Sequence, residues 1–168
     1  MRSRSLYALP LALALLGGCG YYSFTGASIP SHLATIAIPL ADNTSASPVV
    51  GMDDELTRLL QERFVGQTRL SLAPNEDEAD VVLETRIQSY TNQPTAVGGN
   101  QQAEQNRVTV SVTVRYFDRV EQEEVLARTF TGSAEYLPAN GPQGEQDAAL
   151  AALRFIADDI FTAATSNW

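Results

Sequence analysis

Between Arg107 and Phe117, valine takes every second position: Val108, Val110, Val112 and Val114, with Thr109, Ser111, Thr113 and Arg115 between them. Successive side chains of a strand point to opposite faces, so this spacing gives a strand with one apolar and one polar face. A sheet built on it has one face to bury and one to show to water. Other elements of the chain must then cover the apolar face.

Two segments have the pattern to do so. Met52, Leu56, Leu59, Leu60 and Phe64 recur at helical spacing and form a single apolar stripe. Ser47-Pro48 reads as the start of that helix, Ser as N-cap and Pro in the first position. Asp53, Asp54 and Glu55 then suit its early turns, near the positive end of the helix dipole. Gly66 is the expected stop. A second helix is expected from Glu145 to about Ala164, with Ala149, Leu150, Leu153, Ile156, Ile160, Phe161 and Ala164 on one stripe and Glu145 and Asp147 at its favourable end.

Three more stretches read as strands. Thr35–Leu40 is short, β-branched and apolar, and Pro39 places it at an edge or ends it. Val81–Tyr90 sets Val81, Leu83 and Ile87 against Glu84, Arg86 and Gln88. Val125–Tyr136 turns Phe130, Ala134 and Tyr136 inward; Arg128 falls on the same parity, which implies a bulge or an edge. Residues 91–106 are polar, Gly- and Gln-rich and without period, and read as a long mobile loop. The expected fold is α+β: a two-layer sandwich of two helices on one face of a mostly antiparallel four-stranded sheet, in the order β-α-β-β-β-α. It forms one domain over residues 35–168.

Residues 1–18 have the order of a secretory signal: Arg2 and Arg4, an apolar run from Leu6 to Leu16, then Gly17-Gly18 before Cys19. The run is about half of the roughly twenty residues a membrane span needs. The small-small-Cys ending resembles the lipobox of bacterial lipoproteins. That resemblance implies removal of residues 1–18, a diacylglycerol thioether on Cys19 and acylation of its new N-terminus, palmitate being the expected chain. The alternative is a plain signal peptide with an incidental cysteine, which leaves a lone thiol in a secreted chain unexplained. Each buried methylene contributes about 0.8 kcal/mol, so several acyl chains hold a protein at a membrane surface. In lipoproteins of many diderm bacteria an Asp after the cysteine favours inner-membrane retention. Gly20 stands there, which points to the outer membrane. Residues 19–34 form an aromatic, turn-rich lead-in.

The net charge is −9 and every basic side chain besides the single His is Arg. An acidic, Lys-free surface argues against nucleic acid as a partner. One cysteine excludes an internal disulfide. No G-x-S-x-G, Walker A or G-x-G-x-x-G motif occurs. The only histidine, His32, has no Cys or carboxylate at ligand spacing in sequence, so no metal or cofactor is expected. Glu76-Asp77-Glu78 with Asp80 lacks the Gly-centred spacing of a calcium loop and reads as an acidic turn. No enzyme activity is expected. A carboxylate dyad assembled only in three dimensions stays open.

The lipobox Cys19, then YYSFTGASIPSHLATIAIPLADN, an amphipathic helix ending FVGQTRLSL, and EADVVLETRIQSY resemble the LptE family of lipopolysaccharide-assembly lipoproteins. Cys19–Pro39 is especially similar to versions from a Bacteroidota-like branch. The resemblance implies a non-catalytic outer-membrane lipoprotein, lipid-anchored at the periplasmic face. Its implied partner is an LptD-type β-barrel, for which it serves as plug and assembly factor in lipopolysaccharide transport to the cell surface. Some members bind lipopolysaccharide through basic residues. The candidates here are Arg86, Arg107 and Arg115 on the polar sheet face; scattered surface arginines are the plainer reading. The competing function is a lipid-anchored binding module of another envelope machine, for example a peptidoglycan-synthase activator.

Overall fold

A computed structural model describes residues 29–97 and 103–166. In chain order the elements are β1 (Thr35–Ala37), β2 (Asp42–Asn43), α1 (Met52–Gln67), β3 (Ser71–Leu72), β4 (Val81–Val97), β5 (Ala103–Asp118), β6 (Glu123–Tyr136) and α2 (Gly141–Thr165). Short 3-10 turns lie at Glu76–Glu78 and Pro138–Asn140. The strands form one six-stranded sheet in the order β3-β1-β4-β5-β6, with β2 also paired to β4.

This overturns the expected four-stranded, mostly antiparallel sheet and its β-α-β-β-β-α order. The sheet is mixed: β1 pairs in parallel with β3 and with β4, and β2 pairs in parallel with β4. The two additional strands are two residues each. A period of two needs several residues to show itself, so strands this short leave no pattern. β1 is interior rather than an edge, and it ends two residues before Pro39. Helix α1 supplies the crossover that two parallel neighbours, β1 and β3, require.

The other half of the sheet is a pair of long antiparallel ladders, β4 with β5 and β5 with β6. The alternation in β5 is realised side chain by side chain: Val108, Val110, Val112 and Val114 are all buried. Val81, Leu83 and Ile87 face the same way and are fully buried. Both helices pack over this face. Phe64 of α1 lies 5.9 Å from the Tyr116 ring of β5 and 5.3 Å, edge to face, from Phe161 of α2. Gly132 of β6 lets α2 approach: a Cβ there would stand 2.5 Å from the Ala152 carbonyl oxygen and 2.8 Å from Ile156 Cγ1.

Several element boundaries differ from expectation. Residues 91–97 and 103–106 belong to β4 and β5, so most of the expected loop is strand; residues 98–102 lie outside the described residues. The ladder continues because Arg107, Val108 and Thr109 pair with Gln93, Asn92 and Thr91. Helix α1 starts at Met52, not Ser47. The Ser47 hydroxyl accepts the Val49 N–H in a local turn, and Gly51, at φ 78°, sets the helix start instead. Gly66 is inside α1, whose end is closed by Thr68, its hydroxyl donating to the Phe64 carbonyl. Helix α2 begins at Gly141 with Pro142 in its first turn, leaving that turn without acidic residues. Glu145 instead accepts a hydrogen bond from the Tyr90 hydroxyl at 2.5 Å. β6 is an edge strand with a register shift opposite Tyr116/Phe117, and Arg128 is exposed on it with its guanidinium 4.4 Å over the Phe130 ring. An inward-parity charge on an edge strand discourages further strand pairing.

Candidate functional site: the polar sheet face and the lead-in junction

The face of the sheet away from the helices carries the alternate residues of β4, β5 and β6. Register places Thr109 opposite Ser133, Ser111 opposite Thr131 and Thr113 opposite Thr129. The Ser111 and Thr131 hydroxyls are 3.0 Å apart, and those of Thr113 and Thr129 3.3 Å. This ladder of hydroxyls is half-buried to exposed. Charged pairs flank it at both ends. Arg107 donates to Glu135 at 2.6 Å. Arg115 donates to Glu124 at 2.9 Å and to Glu84 at 3.2 Å, and its guanidinium sits 4.9 Å over Phe117. Arg86 donates to Asp42 at 2.8 Å.

The three candidate arginines are thus on one face but not in one cluster. Arg86 and Arg115 share a shallow concavity of about 390 Å³ with Pro39, Leu40, Glu84 and Thr113. Arg107 lies eight residues along β5 from Arg115, roughly 27 Å at ~3.4 Å per residue. Each guanidinium faces a carboxylate, so the three are matched by Asp42, Glu84, Glu124 and Glu135. A phosphate reaching this face meets paired, not free, cations. Glu84 was legible in the alternation of β4; Asp42, Glu124 and Glu135 come into range only through register. Leu40, exposed beside these ion pairs, adds an apolar point to the rim. Cys19 lies outside the described residues.

A second constellation, unread in the sequence, joins the lead-in to the domain. Leu33 is in the core at 1 % exposure, held in a turn by its N–H to the Pro30 carbonyl. Asp80 Oδ2 accepts the N–H groups of Ala34 and Thr35 at 2.8 and 2.9 Å, and the Thr35 hydroxyl accepts the Asp80 N–H. Those backbone donors, Ala34 first, hold the Asp80 carboxyl below its ordinary range. Arg69 donates to the Pro30 and Leu33 carbonyls. His32 Nε2 lies 2.6 Å from Asp118 Oδ2, and Nδ1 lies 3.7 Å from Glu121 Oε1. The hydrogen bond with Asp118 pushes the His32 pKa up. Burial alone raises that of Asp118, but His32 and the Glu121 and Val120 N–H groups hold it low. His32, Asp118 and Glu121 are the metal-ligand types that come together among the described residues. Their bonds diverge: one ring nitrogen faces each carboxylate, and Asp118 Oδ1 is taken by two N–H donors. The arrangement is that of a charged clasp. Glu76–Glu78 is not part of this group and forms a 3-10 turn capped by Asn75, whose side chain accepts the Glu78 N–H.

The architecture so defined is an α/β sandwich with one helix-covered face and one open face of hydroxyls and balanced charge. The family model for LptE, described as lipopolysaccharide-assembly, matches residues 33–164. The chain belongs to the LptE family: it is an outer-membrane lipoprotein of a non-catalytic family, not an enzyme. No curated protein sequence matches it. Among solved structures it resembles a putative lipoprotein from Caulobacter crescentus CB15, with 18% identity, a TM-score of 0.52, and 78% of this chain covering 88% of that one. It also resembles rare lipoprotein B from Shewanella oneidensis (12% identity, TM-score 0.52, 77% and 89% covered). A putative neuraminyllactose-binding hemagglutinin homolog from Helicobacter pylori has the same fold (10% identity, TM-score 0.57, 84% and 88% covered). At these identities the likeness is one of fold.

Proposed function

We propose that this lipoprotein sits at the periplasmic face of the outer membrane, anchored by acyl chains on Cys19. There it partners an LptD-type β-barrel as plug and assembly factor for lipopolysaccharide transport. The observation that carries the reading is the open polar face on a chain of the LptE family. Large barrels have polar interiors, and a face of hydroxyls and paired charges suits contact with one. An apolar face would have to be buried against lipid or protein; this one stays satisfied in water before binding and trades hydrogen bonds on contact. The similarity of Cys19–Pro39 to Bacteroidota-like sequences belongs to the same reading.

Arg86, Arg107 and Arg115 act in it as the charged frame of the face. Lipopolysaccharide phosphates would have to displace the carboxylates already paired with them. The test of the surface is barrel co-purification from native membranes in mild detergent with Thr109→Trp and Thr113→Trp. Loss of a stoichiometric barrel, with an unchanged melt of the isolated domain, supports this face as the contact; full retention in both variants removes it. Mass spectrometry of the mature N-terminus tests the anchor. An unmodified Cys19 thiol would discard it.

A further inference from the structure

We propose that His32 is a proton-controlled latch holding the last turn of the lead-in against the end of the sheet, closed when the imidazole is charged and loosened when it is neutral.

The latch is built from two chain segments far apart in sequence. His32 is on the lead-in side; Asp118 ends β5 and Glu121 is on the β5–β6 turn. Asp118 is a rigid partner. Its side chain is 1 % exposed, and its other oxygen accepts the Val120 and Glu121 N–H groups at 2.8 and 2.9 Å. Glu121 is exposed, with Oε1 3.7 Å from the other ring nitrogen, too far for a hydrogen bond but close enough for its charge to favour the doubly protonated ring. Asp80, just before β4, adds a third and weaker negative charge that favours the protonated ring. The cations nearby are engaged elsewhere: Arg69 with the Pro30 and Leu33 carbonyls, Arg119 with the Glu76 carbonyl and, at 3.7 Å, Asp77. Partial burial of the ring works against a positive charge on His32, but the hydrogen bond to Asp118 and the charges of Asp118, Glu121 and Asp80 outweigh it.

The direction of the response follows from linkage. The folded pKa of His32 is raised, so the clasp's contribution is fully present below the ordinary histidine value of about 6.5 and is lost as pH rises through the raised value. Between those limits the opening constant grows by a factor equal to ten to the power of the pKa difference between the closed and open states. The neutral ring still donates one bond to Asp118, so the turn loosens without the domain unfolding. For the protein this sets how much chain is free between anchor and domain, a consequence that rests on the Cys19 anchor proposed above; the latch itself uses residues 30–121 only.

His32 is the only histidine, so its resonances are unambiguous in the untagged mature chain. The experiment has two arms on that chain in detergent, without any barrel. An NMR titration gives the His32 pKa. Hydrogen exchange of residues 30–35, corrected for the intrinsic rate at each pH, gives the opening constant between pH 5.5 and 8.5. The expected result is a pKa above 6.5 and a several-fold rise in opening with pH, equal within error to the factor the pKa predicts. His32→Gln should make the opening constant flat across that range. Glu121→Gln, at an exposed turn position, should shrink the rise and serves if His32→Gln fails to fold. A pKa at or below 6.5, a flat profile in wild type, or an unchanged slope in the variants overturns the latch. The outcome is independent of whether a barrel is the partner.

Discussion

The two halves of the sheet are specified in different ways. In β4, β5 and β6, long strands consecutive in the chain pair antiparallel, and the alternation of apolar and polar residues decides which face each side chain takes. A one-residue slip would bring Val108–Val114 to the solvent side, so register is strongly enforced. In β1, β2 and β3, strands of two or three residues pair in parallel across long stretches of chain. Few ladder bonds hold them. Their places are set by side chains that reach for the backbone: Asp80 for Ala34 and Thr35, Arg69 for Pro30 and Leu33, Thr44 for Ile87. Pattern defends the first half; individual polar contacts defend the second.

Substitutions can break this comparison, beginning where both halves meet. Phe64 packs on β5 and α2 while belonging to the β1–α1–β3 crossover. Phe64→Ala should cost about 3–5 kcal/mol in urea denaturation and lower the protection of both halves together. Gly132→Ala acts within the antiparallel half. Its new methyl meets the Ala152 backbone, which cannot rotate aside, and a loss of about 1–3 kcal/mol is expected with α2 displaced. Retained stability would mean that α2 stands further from β6 than described.

Asp80→Ala tests the parallel half. It strands two N–H groups, at about 1–2 kcal/mol, and hydrogen exchange should rise in residues 33–37 while β5 stays protected. Because the folded Asp80 pKa is depressed, its contribution is present above the ordinary carboxylate value and is lost as pH falls through the folded one. An acid melt should therefore flatten in the variant. The smallest effect belongs to the outer face: Arg107→Ala breaks an exposed pair and should shift stability by less than about 1 kcal/mol. A larger loss would show that the flanking ion pairs hold the ladder together.

Much of the polar face was legible beforehand. Thr109, Ser111, Thr113 and Arg115 read as one side of a strand from spacing alone, and Glu84 and Arg86 likewise. Their partners were not, because Arg107 meets Glu135 and Arg115 meets Glu124 only once β5 and β6 are in register. The His32 clasp was illegible for the same reason, His32 and Asp118 being 86 positions apart. Local signals also misled where two competed. Ser47-Pro48 has the composition of a helix start, yet its hydroxyl closes a turn and Gly51 begins the helix.

What this chain determines by sequence alone is what depends on neighbours: the alternation that gives β5 its two faces, the apolar stripes of both helices, and the small-small-Cys ending of residues 17–19. These are periodic or contiguous, and the physics acting on them is local. Tertiary structure alone decided the six-strand mixed order, the parallel pairing of segments two residues long, the neutralisation of each candidate arginine, and the convergence of His32, Asp118 and Glu121. Those depend on contacts between distant segments, whose energy does not exist until the sheet has closed the distance.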